Sequence, residues 1–136
     1  MRNSSELDKL KDICRRARIK REITRENMNQ LSEAFGSRFD KAWEALNALR
    51  AKKYVFQPSG RIVWTVLGKK REYLLFTIAE FCSCNDFFFR VMDGEAQICY
   101  HLIAQNLAEA LDRFERIEKK DESYDFLMKN WKTIES

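Results

Sequence analysis

The chain has 136 residues, of which 45% are hydrophobic and 34% are charged, a balance that indicates neither wholesale disorder nor a membrane protein. Its formal net charge of +4 is too small a surplus to establish nucleic-acid binding. The chain has only four glycines and one proline, the residues that most often break helices and form turns. This scarcity favours helices and a few tight turns over a many-stranded barrel or sandwich. We therefore expect one compact intracellular domain of the α+β class.

Helical spacing of apolar residues predicts three helices before any strand. The first is indicated by Leu7, Leu10, Ile13, Cys14 and Ala17. Because Cys14 lies on this apolar stripe, we predict a buried, inert thiol rather than a metal ligand. Thr24 is the predicted cap of the second helix, Gly36 ends it, and Ser37 begins the third.

A basic run follows the first apolar stripe and contains few acidic residues. Its members are Arg15, Arg16, Arg18, Lys20, Arg21 and Arg25. Such a run is typical of a phosphate-binding surface, and a solvent-exposed helix face accounts for it equally well. Both interpretations stay open at this point.

The centre of the chain changes to bulky and β-branched residues, which predict strands over 54–56, 61–67 and 72–78. Turn sequences at 58–60 and 68–70 separate them, so we expect a three-stranded antiparallel meander. A long amphipathic helix is predicted over 98–117, and a shorter C-terminal helix over 124–131.

Three of the four cysteines and the only histidine form two pairs of the same kind, Cys82-Ser83-Cys84 and Cys99-Tyr100-His101. Residues two apart on an extended segment project to one side, so Cys82 and Cys84 can offer two thiolates together. Cys99 and His101 are expected at the start of a helix, where the positive dipole end favours a thiolate. A Cys₃His set is a closed structural zinc site, so we predict one structural Zn²⁺.

Two alternative assignments of these pairs are less favoured. If these were ordinary buried cysteines and a core histidine, nothing would explain why they occur as two pairs with the same spacing. Iron–sulfur clusters usually take four thiolates, and this set offers three.

We also find no catalytic set, because the only histidine is assigned to the metal and no Gly-rich phosphate loop is present. The chain is therefore predicted not to be an enzyme, and no small-molecule substrate is expected.

The CxC and CxH pairs, with fourteen residues between Cys84 and Cys99, resemble the SWIM zinc finger. The residues around 58–61, 63–68, 82–89 and 99–104 are similar to small single-domain SWIM proteins, and the resemblance covers about residues 40 to 112. These include small archaeal proteins and the SWIM subunit of the Shu recombination complex. The resemblance implies an accessory role in DNA recombination or repair, with DNA, a recombinase-like ATPase paralogue or both as partners.

The resulting expectation is an α+β protein with N-terminal helices, the meander, a SWIM zinc site and a long C-terminal helix. Residues 1–52 form a basic helical region, 53–118 the zinc-binding region and 119–136 a helical tail. The chain is expected in the cytoplasm, on the nucleoid, or in the nucleus of a eukaryote, with no membrane partner. DNA, in single-stranded or branched form, would meet a set of cations: Arg15, Arg16, Arg18, Lys20, Arg21, Arg61, Lys69, Lys70 and Arg71.

Two alternatives to the repair accessory remain. Three helices followed by a hairpin also suggest a winged-helix transcription regulator, whose recognition helix would be 37–50 and whose wing would carry Arg61, Lys69, Lys70 and Arg71. In that case the zinc would be purely structural. A protein-interaction adaptor without DNA affinity is the other alternative.

Overall fold

The computed structural model describes residues 6–68, 71–76, 81–82 and 99–132. Over these residues the helices are α1 Glu6–Lys20, α2 Arg25–Phe35, α3 Ser37–Asn47, α4 Tyr100–Leu111 and α5 Tyr124–Lys132. The strands are β1 Ala51–Gln57, β2 Ile62–Leu67, β3 Glu72–Phe76, β4 Phe81–Cys82 and β5 Glu115–Lys120. This arrangement confirms the α+β class. Among the described helices, none has the length and apolar character needed to span a membrane.

Local sequence signals start and stop the N-terminal helices as predicted. The Thr24 hydroxyl oxygen accepts a hydrogen bond from the backbone N–H of Asn27 at 3.1 Å, which caps α2. Gly36 follows with φ +57°, a left-handed value that costs glycine little, and its N–H donates to the Ser32 carbonyl oxygen. The chain therefore leaves α2 and enters α3 within one residue.

The sheet has the strand order β4-β3-β2-β1-β5. Strands β1, β2 and β3 pair antiparallel, with Tyr54 opposite Val63 and Trp64 opposite Leu75, which confirms the predicted meander. Strand β4 extends the meander antiparallel to β3. Strand β5 pairs parallel with β1 at the other edge, so the sheet is mixed.

The predicted helix over 98–117 is wrong in its C-terminal part. Helix α4 ends at Leu111, and Asp112 takes a left-handed φ of +58° that turns the chain. The next residues form β5, in which Ile117 lies opposite Tyr54 of β1. The spacing of Phe114 and Ile117 fits a helix locally. Pairing with a strand about sixty residues earlier supplies backbone hydrogen bonds that local periodicity does not reveal.

The two faces of the sheet carry two separate cores. Residues of one face, such as Trp64 and Leu75, pack with the apolar sides of α1 to α4. On the other face, Tyr54 and Phe56 pack with Met128 and Trp131 of α5. Nine of the twelve residues of α4 are buried, because α1, α3 and the sheet all contact this helix. The start of α4 is therefore held in a well-packed setting.

Hydrogen bonds fasten the C-terminal helix at both ends. Before α5 begins, the Asp121 carboxylate accepts hydrogen bonds from the Ser59 hydroxyl at 2.6 Å and from the Ser59 N–H at 3.0 Å. At the other end, the Arg71 guanidinium donates to the carbonyl oxygens of Asn130 at 3.0 Å and Trp131 at 2.9 Å. An arginine at a helix C-terminus satisfies carbonyls that have no partner within the helix.

A polar cluster lies on the sheet face that α5 covers. The Glu72 carboxylate accepts hydrogen bonds from the Tyr54 hydroxyl and the Thr65 hydroxyl, both at 2.8 Å. The ammonium group of Lys52 lies 4.0 Å from the Glu72 carboxylate and 3.8 Å from that of Glu115. Burial, and then the hydrogen bond to Glu72, raise the pKa of Tyr54 well above its usual value.

This pKa shift predicts a loss of stability in alkaline solution. A tyrosine in the unfolded chain loses its hydroxyl proton at about pH 10, whereas Tyr54 in the folded protein retains it. The contribution of Tyr54 is therefore complete below that pH and declines as the pH rises further. We expect Tyr54→Phe to remove part of the decline in the free energy of unfolding between neutral pH and about pH 11, measured in urea.

Thr65→Val is the matched control, because it alters the same cluster but keeps the tyrosine and should keep the alkaline decline. An identical decline in the wild type and in Tyr54→Phe would contradict the prediction. A wild type whose unfolding free energy does not change over this range would contradict it as well.

Candidate metal centre

The second pair of predicted ligands lies at the start of α4. Cys99 is the residue that precedes the helix, with φ −88° and ψ 168°, and its carbonyl oxygen accepts the N–H of Ile103 at 3.3 Å. Cys99 is completely buried and His101 is 3% exposed. The expected position at a helix N-terminus is thus confirmed for this pair. The positive end of the helix dipole there stabilises a thiolate.

The first pair is only partly within the described residues. Cys82 ends β4, and its backbone lies opposite Leu75 of β3. Leu75 belongs to the same core as Cys99, and β4 contacts α4. The fold therefore brings the strand that carries Cys82 against the helix that begins at Cys99. Cys84 and the side chain of Cys82 lie outside the described residues.

The described donors fit a structural metal site. A thiol and an imidazole are ligand types that zinc prefers, and burial of both is typical of a closed site without bound water. Over the described part of the chain, His, Cys, Asp and Glu form no group of three that could hold a metal. Only two of the four predicted ligand side chains, Cys99 and His101, belong to that part. The full ligand set stays a prediction.

Two tyrosine rings contact the imidazole of His101. The ring centroid of Tyr73 lies 4.7 Å from that of His101, and the centroid of Tyr100 lies 4.0 Å from it. The ammonium group of Lys41, from α3, lies 5.8 Å from the Tyr100 centroid. Sequence reasoning did not find the contact of Tyr73 with His101 or that of Lys41 with the Tyr100 ring. Tyr73 and Lys41 are distant in sequence, so no local signal could have revealed them.

Cys14 lies on the buried face of α1, as predicted, with 4% of its surface exposed. Burial raises the pKa of its thiol to about 12, the nearby Arg18 opposes this shift, and Glu109 adds to it. A thiol with such a pKa is almost entirely protonated at neutral pH, so it is a poor nucleophile and a poor metal ligand. Cys14 therefore serves below as a control for Cys99.

Four of the predicted nucleic-acid-binding residues are exposed on α1: Arg15, Arg16, Arg18 and Lys20. Guanidinium groups of the first two lie 3.7 Å and 3.0 Å from the Asp12 carboxylate. These are exposed ion pairs, which contribute little to stability and can be exchanged for a phosphate contact. This part of α1 thus presents positive charge to solvent.

Three other predicted residues make contacts within the protein. Arg21 donates hydrogen bonds to the carbonyl oxygens of Glu109 and Ala110 at 3.3 Å and 3.4 Å, at the end of α4. The Arg61 guanidinium lies 4.5 Å from the Tyr124 ring centroid, and Arg71 binds the end of α5. All three arginines therefore contact a helix, and Arg21 and Arg61 remain exposed to solvent. Lys69 and Lys70 lie outside the described residues.

The corner between α1 and α2 also contains a cleft of about 350 Å³. Its lining includes the cations Arg16 and Lys20 and the carboxylates of Glu22 and Glu26. Ile19 lies beside them and is 81% exposed. An apolar side chain this exposed, within a basic surface, is a contact that protein partners can use and a phosphate backbone cannot.

Comparison with known proteins gives one informative similarity. No protein-family model matches the chain, and no solved structure matches it. The chain is 32% identical over 104 residues to the zinc finger SWIM domain-containing protein 7 homolog of Dictyostelium discoideum. The alignment covers 75% of this chain and 67% of that protein. Identity of this extent, together with the CxC and CxH pairs of the sequence, shows that the chain belongs to the SWIM zinc-finger family.

Proposed function

We propose that this chain is a non-enzymatic accessory protein in DNA recombination or repair, which binds DNA, a recombinase-like ATPase paralogue, or both. The observation that carries the proposal is the similarity to the zinc finger SWIM domain-containing protein 7 homolog over three quarters of the chain. The family includes the SWIM subunit of the Shu recombination complex. The site of action would be the nucleus or the nucleoid.

The proposed cofactor is one structural Zn²⁺ held by Cys82, Cys84, Cys99 and His101. Burial of Cys99 and His101, and contact between β4 and α4, support this assignment. When bound, zinc would join the sheet edge to the start of α4 and add to the folding free energy. Four protein ligands leave no position for water or substrate, so a hydrolytic role is not proposed.

The proposed DNA contact uses the exposed cations of α1. A surface of this kind contacts phosphates and does not read base edges, so it predicts DNA binding with little sequence preference. A repair accessory is expected to bind single-stranded or branched DNA. A winged-helix regulator is less favoured. The predicted wing residues Arg61 and Arg71 contact α5, so this helix lies against the hairpin that such a regulator would place on DNA.

An adaptor that binds only proteins is the second candidate. Exposure of Ile19 beside the cleft at the α1–α2 corner favours it, because exposed apolar side chains support protein contacts. DNA affinity separates the two candidates.

Charge reversal on α1 tests the DNA contact. We expect the combined variant Arg15→Glu, Arg16→Glu, Arg18→Glu and Lys20→Glu to bind a labelled single-stranded oligonucleotide much more weakly. The slope of log affinity against log salt should fall by about 0.7 for each phosphate that the variant no longer neutralises. Fluorescence anisotropy over a salt series measures both quantities, with single-stranded, branched and duplex DNA compared.

The matched control reverses exposed cations on β5 instead, as Arg116→Glu, Lys119→Glu and Lys120→Glu. The control should keep the affinity and the salt slope of the wild type. Losses of affinity in proportion to the number of reversed charges, four on α1 and three on β5, would mean that net charge alone determines binding. A wild type without DNA affinity, in the presence of stoichiometric zinc, would overturn the DNA contact and support the adaptor.

A further inference from the structure

The only histidine of the chain has an unusual setting for a side chain that must bind a metal. Its imidazole is 3% exposed and lies in contact with two tyrosine rings, at centroid distances of 4.7 Å and 4.0 Å. The ring planes of Tyr73 and Tyr100 are tilted 34° and 35° from the imidazole plane. Tilted aromatic contacts at these distances are attractive and directional. They restrict rotation of the imidazole about its side-chain torsions.

Each of the two tyrosines is itself held by a different part of the fold. Tyr73 belongs to β3, and its ring lies directly over Gly68, where an added Cβ would collide with the Tyr73 Cε2 atom. The Arg71 guanidinium lies 5.9 Å from the same ring. Tyr100 is the first residue of α4, and Lys41 of α3 lies 5.8 Å from its ring. The imidazole is therefore oriented by the sheet and by the helices together.

We propose that Tyr73 and Tyr100 are positioning residues, which fix the imidazole plane of His101 so that it is already oriented for the metal. This inference rests on the proposed zinc site. A ligand held in one orientation loses less rotational freedom on binding, so the site binds zinc more tightly than a freely rotating histidine would allow. Neither tyrosine touches the metal in this scheme, and both act through the histidine.

The first test measures the contact of the two rings with the imidazole and does not depend on metal affinity. Because the chain contains one histidine, its carbon-bound imidazole protons give a unique pair of NMR signals in the full-length protein. Neighbouring aromatic rings displace these signals through their ring currents. We expect Tyr73→Leu and Tyr100→Leu each to move the signals towards the position of an isolated histidine, and Tyr73→Phe and Tyr100→Phe to leave them nearly unchanged.

The second test measures the effect of the two rings on zinc affinity. Competition with a chromophoric zinc chelator should show that each leucine variant binds zinc about ten-fold more weakly, while each phenylalanine variant binds as the wild type does. The visible bands of Co²⁺, substituted for zinc, should broaden in the leucine variants, because the imidazole then samples several orientations. Retention of affinity by phenylalanine would assign the effect to the ring and not to the hydroxyl group.

Tyr124→Leu is the matched control for reduced packing. Tyr124 is a half-buried tyrosine that packs against Phe56, at a centroid distance of 5.1 Å, on the other face of the sheet. The Tyr124→Leu substitution should lower the melting temperature without changing the histidine signals or the zinc affinity. Gly68→Ala keeps both rings but displaces that of Tyr73, so it should reproduce the signal change of Tyr73→Leu.

Unchanged histidine signals in both leucine variants would overturn the proposed orientation. Changed signals with unchanged zinc affinity would overturn the positioning role, and so would phenylalanine variants as weak as the leucine variants. A wild type that binds no zinc would instead refute the proposed metal site. In that case the NMR signals would still report whether the two rings orient His101.

Discussion

Cys99→Ala is expected to abolish zinc binding and to unfold the part of the protein built around α4, whereas Cys14→Ala should keep one zinc per chain. Both cysteines are buried in the same core, so the loss of a small apolar side chain is similar in the two variants. Only Cys99 is a proposed ligand. Structural zinc contributes roughly 10–16 kcal/mol in zinc-finger peptides, an amount as large as the whole unfolding free energy of an ordinary domain, about 5–15 kcal/mol.

Elemental analysis of protein purified without added metal measures the zinc content, and circular dichroism measures the helix that remains. Treatment of the wild type with a strong chelator should reproduce the Cys99→Ala result, and the same treatment should unfold Cys14→Ala to the same extent. Full zinc content and full helicity in Cys99→Ala would contradict the ligand assignment. Loss of zinc from Cys14→Ala as well would show that core packing, not ligation, controls the metal content.

Trp131→Ala is expected to lower the free energy of unfolding by about 3–5 kcal/mol, the usual cost of removing a large buried aromatic side chain. Trp131 is 5% exposed, and its ring centroid lies 4.8 Å from that of Tyr54. Its loss would leave a cavity against the second face of the sheet. It would also loosen the helix end whose carbonyl groups Arg71 binds. Urea unfolding at neutral pH measures the change.

Phe126→Ala is the control from the same helix, because Phe126 is 67% exposed. A change below about 0.5 kcal/mol is expected there, as for most surface substitutions. Similar small effects for both variants would mean that α5 does not contribute to the cooperative core. A large effect for Trp131→Ala would show that α5 belongs to the folded unit that carries the proposed zinc site.

Local chemistry accounts for the features that sequence reasoning predicted well. The hydroxyl of Thr24 and the positive φ of Gly36 act within a few residues of their own positions, so α2 begins and ends where the pattern indicates. Alternating bulky residues likewise predicted the antiparallel meander, whose strands are neighbours in sequence. The pairs of cysteines and histidine identified the family, because metal ligands must have particular chemistry and spacing.

Features that depend on distant residues were decided only by the tertiary structure. Strand β5 exists because β1 offers it a parallel partner, and nothing in residues 115–120 alone distinguishes this strand from the end of a helix. Arg21 and Arg71, expected to meet DNA, bind the carbonyl ends of α4 and α5. By itself the sequence determined the family and the proposed metal ligands, since both depend on residue type and short spacing. The fold alone decided that the Tyr73 ring packs on His101 and that Arg21 and Arg71 bind helix ends, because those contacts join segments far apart in the chain.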